Sequence, residues 1–204
     1  MQALSIPKQL LNELATLGQV KQASAGDIMI MEEQHVNAVP LVLSGILKVS
    51  ITDESGQEIL LYYLKPGETC VTSVLGALHQ KSVKVKAEVE EDAEILFLPV
   101  SVVNNSLKDN EQWLSFLLKS YHERFEDLIL TLNEVAFKNL DQRLISHLQK
   151  KAALKSRKLI DTTHEQLARE LGTSRVVISR LLKKMEDEGM VKLSRNQIEL
   201  IALL

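Results

Sequence analysis

Apolar and polar positions alternate in three rhythms along this chain, and each rhythm predicts a different kind of element. Between Val20 and Pro99 the apolar runs are short: Ile28-Met29-Ile30, Leu41-Val42-Leu43, Ile46–Ile51, Ile59–Leu64 and Ile95–Leu98. Gly26, Gly45, Gly56 and Gly67 punctuate them, and Ser44-Gly45, Glu54-Ser55-Gly56 and Lys65-Pro66-Gly67 read as turns. Short β-prone runs between glycine turns predict an antiparallel sandwich or roll. The Lys81–Lys86 run alternates basic with β-branched residues, the pattern of a solvated strand face.

From Asn110 to Lys138 no Gly or Pro interrupts the chain, which predicts one long helix. Leu114, Leu118, Tyr121, Phe125, Leu128, Leu132, Val135 and Asn139 recur in alternating steps of four and three. A repeat of about 3.5 residues over several heptads is the mark of a coiled-coil seam, and it predicts a parallel dimer. An ordinary buried helix drifts from that repeat by only about 20° per heptad, so it stays an alternative. A second stripe, Leu117, Ile129 and Ala136, is expected to face the roll. Asn139, with Gln142 three residues on, reads as the cap of the next helix and places a hinge near Lys138–Asp141.

The third rhythm lies in Thr163–Gly189, where two short amphipathic helices meet at Gly172. Leu167, Ala168 and Leu171 line one face of the first, and Ile178, Leu181, Leu182 and Met185 one face of the second. Thr163 with Gln166 makes a capping box, and Thr162 with Glu165 offers a second register. Gly172 supplies a left-handed residue for the tight turn, and Thr173 or Ser174 caps the second helix. Arg175, Val176, Ser179, Arg180 and Lys183 are left near the opposite face, a set that suits the major groove. Arginine can bond O6 and N7 of guanine together, while neighbouring groups hold phosphates. The bland alternative is a helical hairpin with a solvated basic face. The residues after Gly189 weigh against it. Met190–Leu193, a polar turn Ser194–Gln197 and Ile198–Leu204 read as a β-hairpin, giving a winged helix with Ser194 and Arg195 beside a phosphate backbone.

Charge changes the picture only when counted by region. The whole chain carries −3, which argues against a nucleic-acid partner. Residues 138–204 hold 14 basic against 8 acidic side chains, whereas residues 1–137 hold 10 against 19. A basic C-terminal third on an acidic body is the footprint of a DNA-binding module, and the body restricts contact to the basic end. At 204 residues the chain suits two modest cores. No apolar run of about 18 residues is present, so no membrane partner is expected. The N-terminal stretch lacks the pattern of a signal peptide, so the expected location is the cytoplasm. A roll could also house a metalloenzyme, but His35, His79, His122, His147 and His164 form no cluster, so neither a metal site nor an enzyme is expected.

The order of roll, long helix and winged helix-turn-helix resembles the Crp/Fnr family of bacterial transcription regulators. The likeness rests on AGDIMIMEE, VLSGILKVS, SGQEILLYYLKPGE and AEILFLP in the roll, and on LARELGTSRVVISRLLKKMEDEG in the DNA domain. It implies an α+β protein: a sensor β-roll (double-stranded β-helix or jelly roll) over residues 1–109, a dimerisation helix over 110–138, and a winged helix-turn-helix over 139–204. It further implies a homodimer on double-stranded promoter DNA with a two-fold-symmetric site, with RNA polymerase as a further partner. Arg180, preceded by Ser179, matches the family's guanine-reading arginine, and Arg175 a position contacting base or phosphate. Thr163 and Ser174 match phosphate-binding positions; Thr173, Lys183 and Arg195 are further candidates for phosphate contact. Val176 departs from the pattern, since many members place glutamate there; valine can touch only a thymine methyl.

The resemblance leaves the effector open. Gly67-Glu68 matches the start of a cyclic-nucleotide phosphate cassette, and Lys81-Ser82 falls where Arg-Ser would stand. Lysine lacks the guanidinium fork, and the stretch between looks about three residues longer than in cyclic-AMP receptors. Leu128 and Ile129 stand where those receptors place hydroxyls for adenine, at a cost of roughly 1–3 kcal/mol per lost bond. Glu68, Lys81, Ser82 and Leu128 are therefore effector-pocket candidates, with cyclic AMP a minor alternative. An iron–sulfur cluster needs more thiolates than Cys70 offers, and haem would rest on His79 or Cys70 alone. A redox role for Cys70 competes with ordinary packing.

Overall fold

The computed structural model describes residues 6–54, 58–155 and 157–201. Contacts group the chain into two units, Met1–Ile51 with Leu61–Ile129, and Thr52–Leu60 with Leu130–Leu204. The class is mixed, an N-terminal antiparallel sheet, a long helix and a C-terminal helix-turn-helix.

The N-terminal elements run α1 (Lys8–Ala15), β1 (Gln19–Ala23), β2 (Ile28–Ile30), β3 (Ala38–Thr52), β4 (Glu58–Leu64), α2 (Val71–His79), β5 (Lys86–Pro99), α3 (Val100–Asp109) and α4 (Glu111–Phe137). β5 is the spine of a five-stranded sheet ordered β1-β5-β3-β4, with β2 also paired to β5. Its pairings with β1, β2 and β3 are all antiparallel.

Ser44-Gly45 is a bulge rather than the expected turn. β3 passes through it unbroken, and its register against β5 shifts between Val42 and Leu47. Gly45 has φ of 77°, and a Cβ there would stand 2.3 Å from the Asp92 carbonyl oxygen. The left-handed glycine that a turn requires serves a bulge equally well, so the dipeptide does not separate the two. The Glu54-Ser55-Gly56 turn falls partly outside the described residues, as does the end of the Ile198–Leu204 run. In Lys81–Lys86 the alternation is real, with Val83 and Val85 buried and Lys81 and Lys84 exposed. Yet only Lys86 lies in a strand; the rest is irregular chain with one bridge, Ser82 to His35.

Three helices escaped the sequence pattern. α1 places Leu10 and Leu14 one turn apart in a core shared with Val39, Leu96, Val103 and Trp113. α2 and α3 flank β5 and pack on the same core through Val74, Ala77 and Val103. A second core holds Leu47, Val49, Leu64, Cys70, Val89 and Ile95.

α4 begins where the Asn110 side-chain oxygen accepts from the backbone N–H of Gln112 (3.0 Å) and Trp113 (3.1 Å). Its buried face is Trp113, Phe116, Leu117 and Ser120, spaced by three and four. Leu117 thus packs as expected, but Ile129 and Ala136 are exposed and do not. The buried stripe follows the first two turns and is led by aromatics that the heptad pattern passed over.

The C-terminal elements are α5 (Leu140–Lys155), β6 (Leu159–Asp161), α6 (His164–Glu170), α7 (Arg175–Asp187), β7 (Val191–Ser194) and β8 (Gln197–Leu200). Asn139 and Gln142 form a reciprocal cap at α5, at 3.0 and 3.3 Å. β6, not foreseen, pairs with β8 and completes a three-stranded sheet ordered β6-β8-β7. The wing turn is tighter than expected: Ser194 and Gln197 pair within the strands, leaving only Arg195 and Asn196 between them. Leu144, Leu148, Ile160, Leu167, Ile178, Leu182, Val191 and Ile198 form one core under all six elements. Among the described residues no helix is long and apolar enough to cross a membrane.

Candidate nucleic-acid interface

The turn between α6 and α7 is built from local chemistry. The Thr163 hydroxyl accepts from the Gln166 N–H at 3.1 Å, and the Gln166 side chain accepts from the Thr163 N–H at 2.9 Å. This is the Thr163 register; Thr162 is buried instead, its backbone N–H donating to the Asn196 carbonyl. Gly172 has φ of 63°, and Ser174 rather than Thr173 caps α7, accepting from the Val177 N–H at 3.3 Å. The Arg143 guanidinium closes the turn from α5 by donating to the Leu171 carbonyl at 2.9 Å.

Beneath the turn lies a charged cluster that sequence reasoning missed. Glu170 is buried and meets His147 Nε2 at 2.6 Å and Lys151 Nζ at 3.2 Å, both also buried. His147 and Lys151 stand one turn apart on α5, so a single carboxylate ties α6 to two points of its neighbour. The helical spacing of His147 and Lys151 is visible in the sequence, but the carboxylate that joins them is carried by another helix.

With Ile178, Leu182 and Met185 buried, α7 turns Arg175, Val176 and Arg180 to solvent. Val176 is 69% exposed. Neither the Arg175 nor the Arg180 guanidinium hydrogen-bonds or ion-pairs with a described residue. Ser179 is half-buried and engaged, with His164 Nδ1 2.9 Å from its hydroxyl oxygen. Lys183 is exposed but bridged to Glu186 (2.9 Å) and Asp187 (3.2 Å). Glu186 also accepts from the Leu193 N–H, which with Lys183 holds its carboxyl below the usual range. Arg195 is exposed at the tip of the wing, and Thr173 is half-buried. The Thr163 and Ser174 hydroxyls each accept a capping bond and retain a hydrogen to donate outward.

The effector candidates Glu68, Lys81, Ser82 and Leu128 are not joined to one another by any hydrogen bond or ion pair. Glu68 is buried against α4: Arg124 lies 3.6 Å away, and the Lys65 N–H donates to it at 2.9 Å. Burial pushes the Glu68 carboxyl up and Arg124 opposes that shift. Arg124 also donates to the Tyr63 carbonyl, lies 3.3 Å from Asp127, and stacks 4.9 Å from the centre of the Tyr62 ring. Ser82 donates to Glu33 at 3.1 Å, and Lys84 pairs with the same carboxylate. Lys81 is exposed, and Leu128 is 39% exposed on α4. The contacts that bind Arg124 to Glu68 and Tyr63, and Glu33 to Ser82 and Lys84, join residues far apart in sequence. No group of His, Cys, Asp or Glu among the described residues could hold a metal ion.

All seven seam residues are exposed, from Leu128 and Leu114 at 39% and 42% to Leu118 and Leu132 at 63% and 66%. Tyr121, Phe125 and Val135 complete the stripe, which runs the length of α4.

Known proteins carry both ends of this arrangement. Residues 142–203 match the family model of the Crp-like helix-turn-helix domain, and residues 20–110 that of the cyclic nucleotide-binding domain. The global nitrogen regulator of a Nostoc species is 25% identical over 173 residues, 78% of this chain and 75% of that protein. The cyclic AMP receptor protein of Thermus thermophilus is 28% identical over 162 residues, 79% of this chain and 74% of its own. Among solved structures, a transcriptional regulator of the Crp/Fnr family from Eubacterium rectale superposes with a TM-score of 0.84 at 26% identity. That alignment covers 96% of this chain and 91% of the other.

Proposed function

We propose, from the premise that this chain belongs to the Crp/Fnr family of transcription regulators, that it binds two-fold-symmetric promoter DNA as a homodimer. The observation that carries the reading is the α7 surface. Two arginines without a hydrogen-bond or ion-pair partner among the described residues flank an exposed valine on a helix that buries Ile178, Leu182 and Met185 on its other face. Arg180 and Arg175 read guanine or hold phosphate, and Val176 meets a thymine methyl. Thr163, Thr173, Ser174, Lys183 and Arg195 contact phosphates, Lys183 after exchanging its carboxylate partners for them.

The partner that covers the α4 stripe is a second copy of the chain. An apolar row of Leu114, Leu118, Tyr121, Phe125, Leu128, Leu132 and Val135 is costly to leave in water, and its heptad spacing fits a symmetric seam. In this reading residues 1–109 sense, 110–138 dimerise and 139–204 bind DNA, in the cytoplasm, with RNA polymerase as the downstream partner. Selection of bound sites from random duplexes tests it: a palindromic consensus is expected, and recovery of no consensus removes it.

The effector is a molecule other than cyclic AMP. A phosphate at Ser82 would meet the Glu33 carboxylate, and Glu68 already faces Arg124. Calorimetry with cyclic AMP is expected to give no saturable heat at micromolar concentrations; a saturable titration overturns this.

A further inference from the structure

His164 opens α6 directly after the Thr163 cap, and its ring meets the recognition helix through Ser179, with Nδ1 2.9 Å from the hydroxyl oxygen. Ser179 stands one turn beyond Arg175 on α7, next to Arg180. α7 is the helix packed against α6, and the groups it turns on the ring are Ser179 and the charged Arg175. Burial, and then the Arg175 charge, hold the imidazole below its ordinary proton affinity. Nε2 makes no hydrogen bond to a described residue.

A neutral imidazole has one donor and one acceptor nitrogen, and a serine hydroxyl has one hydrogen and two lone pairs. Nδ1 can therefore accept the Ser179 hydrogen or donate to its oxygen. In the first case Ser179 presents only lone pairs to a base edge, which suit the amino groups of cytosine or adenine. In the second its hydrogen is left for guanine O6 and N7 or thymine O4. The imidazolium removes the choice, because both nitrogens donate and the serine hydrogen must turn outward.

We propose that His164 is a positioning residue of the reading face, setting whether Ser179 meets DNA as acceptor or donor and taking up a proton as the operator binds. The proposal rests on the DNA-binding reading above. Phosphates close to α7 offset the Arg175 charge that disfavours the imidazolium, so the ring binds a proton more readily in the complex than in the free protein. Linkage then fixes the sign. A proton taken up on binding makes the complex tighter as pH falls, by at most about tenfold per pH unit for each half-site.

The test is operator affinity at constant ionic strength from about pH 5.5 to pH 8, the range in which histidine titrates, for the wild type, His164→Gln and Ser179→Ala. Glutamine keeps a hydrogen-bonding side chain that does not titrate. The wild type is expected to tighten as pH falls, His164→Gln to be flat, and Ser179→Ala to keep the slope. Base preference at one half-site position is expected to move with pH in the wild type and in neither variant. A flat wild-type profile overturns the proposal. So does a His164→Gln profile as steep as the wild type, which would place the proton on another group. Sequence-specific binding with either of those profiles sinks this proposal alone; no sequence-specific binding at any pH sinks the DNA-binding reading beneath it.

Discussion

The solvent face of α7, proposed above to read bases, and the polar sites of the N-terminal unit contain the same kinds of side chain in opposite states. On α7 the Arg175 and Arg180 guanidiniums have no protein acceptor among the described residues. In the N-terminal unit, Arg124 of α4 is held by Glu68, Asp127, the Tyr63 carbonyl and the Tyr62 ring, and Ser82 and Lys84 share Glu33. An unpaired guanidinium at a surface is solvated and can exchange water for a base edge at little cost. One that is buried and paired must first break bonds worth about 1.5–3 kcal/mol each. The α7 guanidiniums are therefore ready to exchange water for a partner, whereas in the N-terminal unit the visible contacts belong to the protein's own network.

The largest effect expected is on the proposed seam, which would double the proposed reading face. Leu132→Glu places a carboxylate against its symmetry mate without a counter-charge. Sedimentation should give a monomer, and operator binding should weaken by about 10²–10⁴-fold as the second half-site is lost. A Leu132→Glu protein that still sediments as a dimer excludes this seam.

Next comes the buried support of the helix-turn-helix. Glu170→Ala leaves His147 and Lys151 buried without their carboxylate, and denaturant unfolding should show a loss of about 3–5 kcal/mol. Adding His147→Leu should restore part of it by removing one of the two buried polar groups left without that carboxylate. A Glu170→Ala protein of wild-type stability would mean that the cluster is solvated rather than buried.

At the reading face itself, Arg180→Ala should cost about 1–3 kcal/mol per half-site and relax the preference at one position. Val176→Glu should gain cytosine where the native protein accepts thymine. Unchanged preferences in both variants would show that α7 does not read bases.

The smallest effect sharpens the other side of the comparison. Burial raises the Glu68 carboxyl above its ordinary value, so the folded state holds this proton more tightly than the unfolded chain. Its stabilising contribution is complete below the ordinary glutamate range and is lost as pH rises through the raised value. Glu68→Gln should flatten the stability profile in that window. A profile steeper than wild type there would mean that Arg124 outweighs burial.

The sequence alone determined whatever is set within a turn or two of chain. The Thr163–Gln166 and Asn139–Gln142 caps, the buried Ile178–Leu182–Met185 stripe and the exposed apolar stripe of α4 come from spacings of three and four residues, and the left-handed Gly172 from the residue type itself. Tertiary structure decided what depends on which distant group arrives. Glu170 meets a histidine 23 residues earlier, His164 a serine 15 residues later, and Arg124 the carbonyl of a residue 61 positions away. β6 is a strand because β8 supplies a partner, and Ser44-Gly45 is a bulge because β5 continues past it. A helical period or a cap is written in neighbours that share one backbone segment. A buried ion pair or a strand edge is defined only when folding brings together groups whose separation along the chain carries no periodic signal.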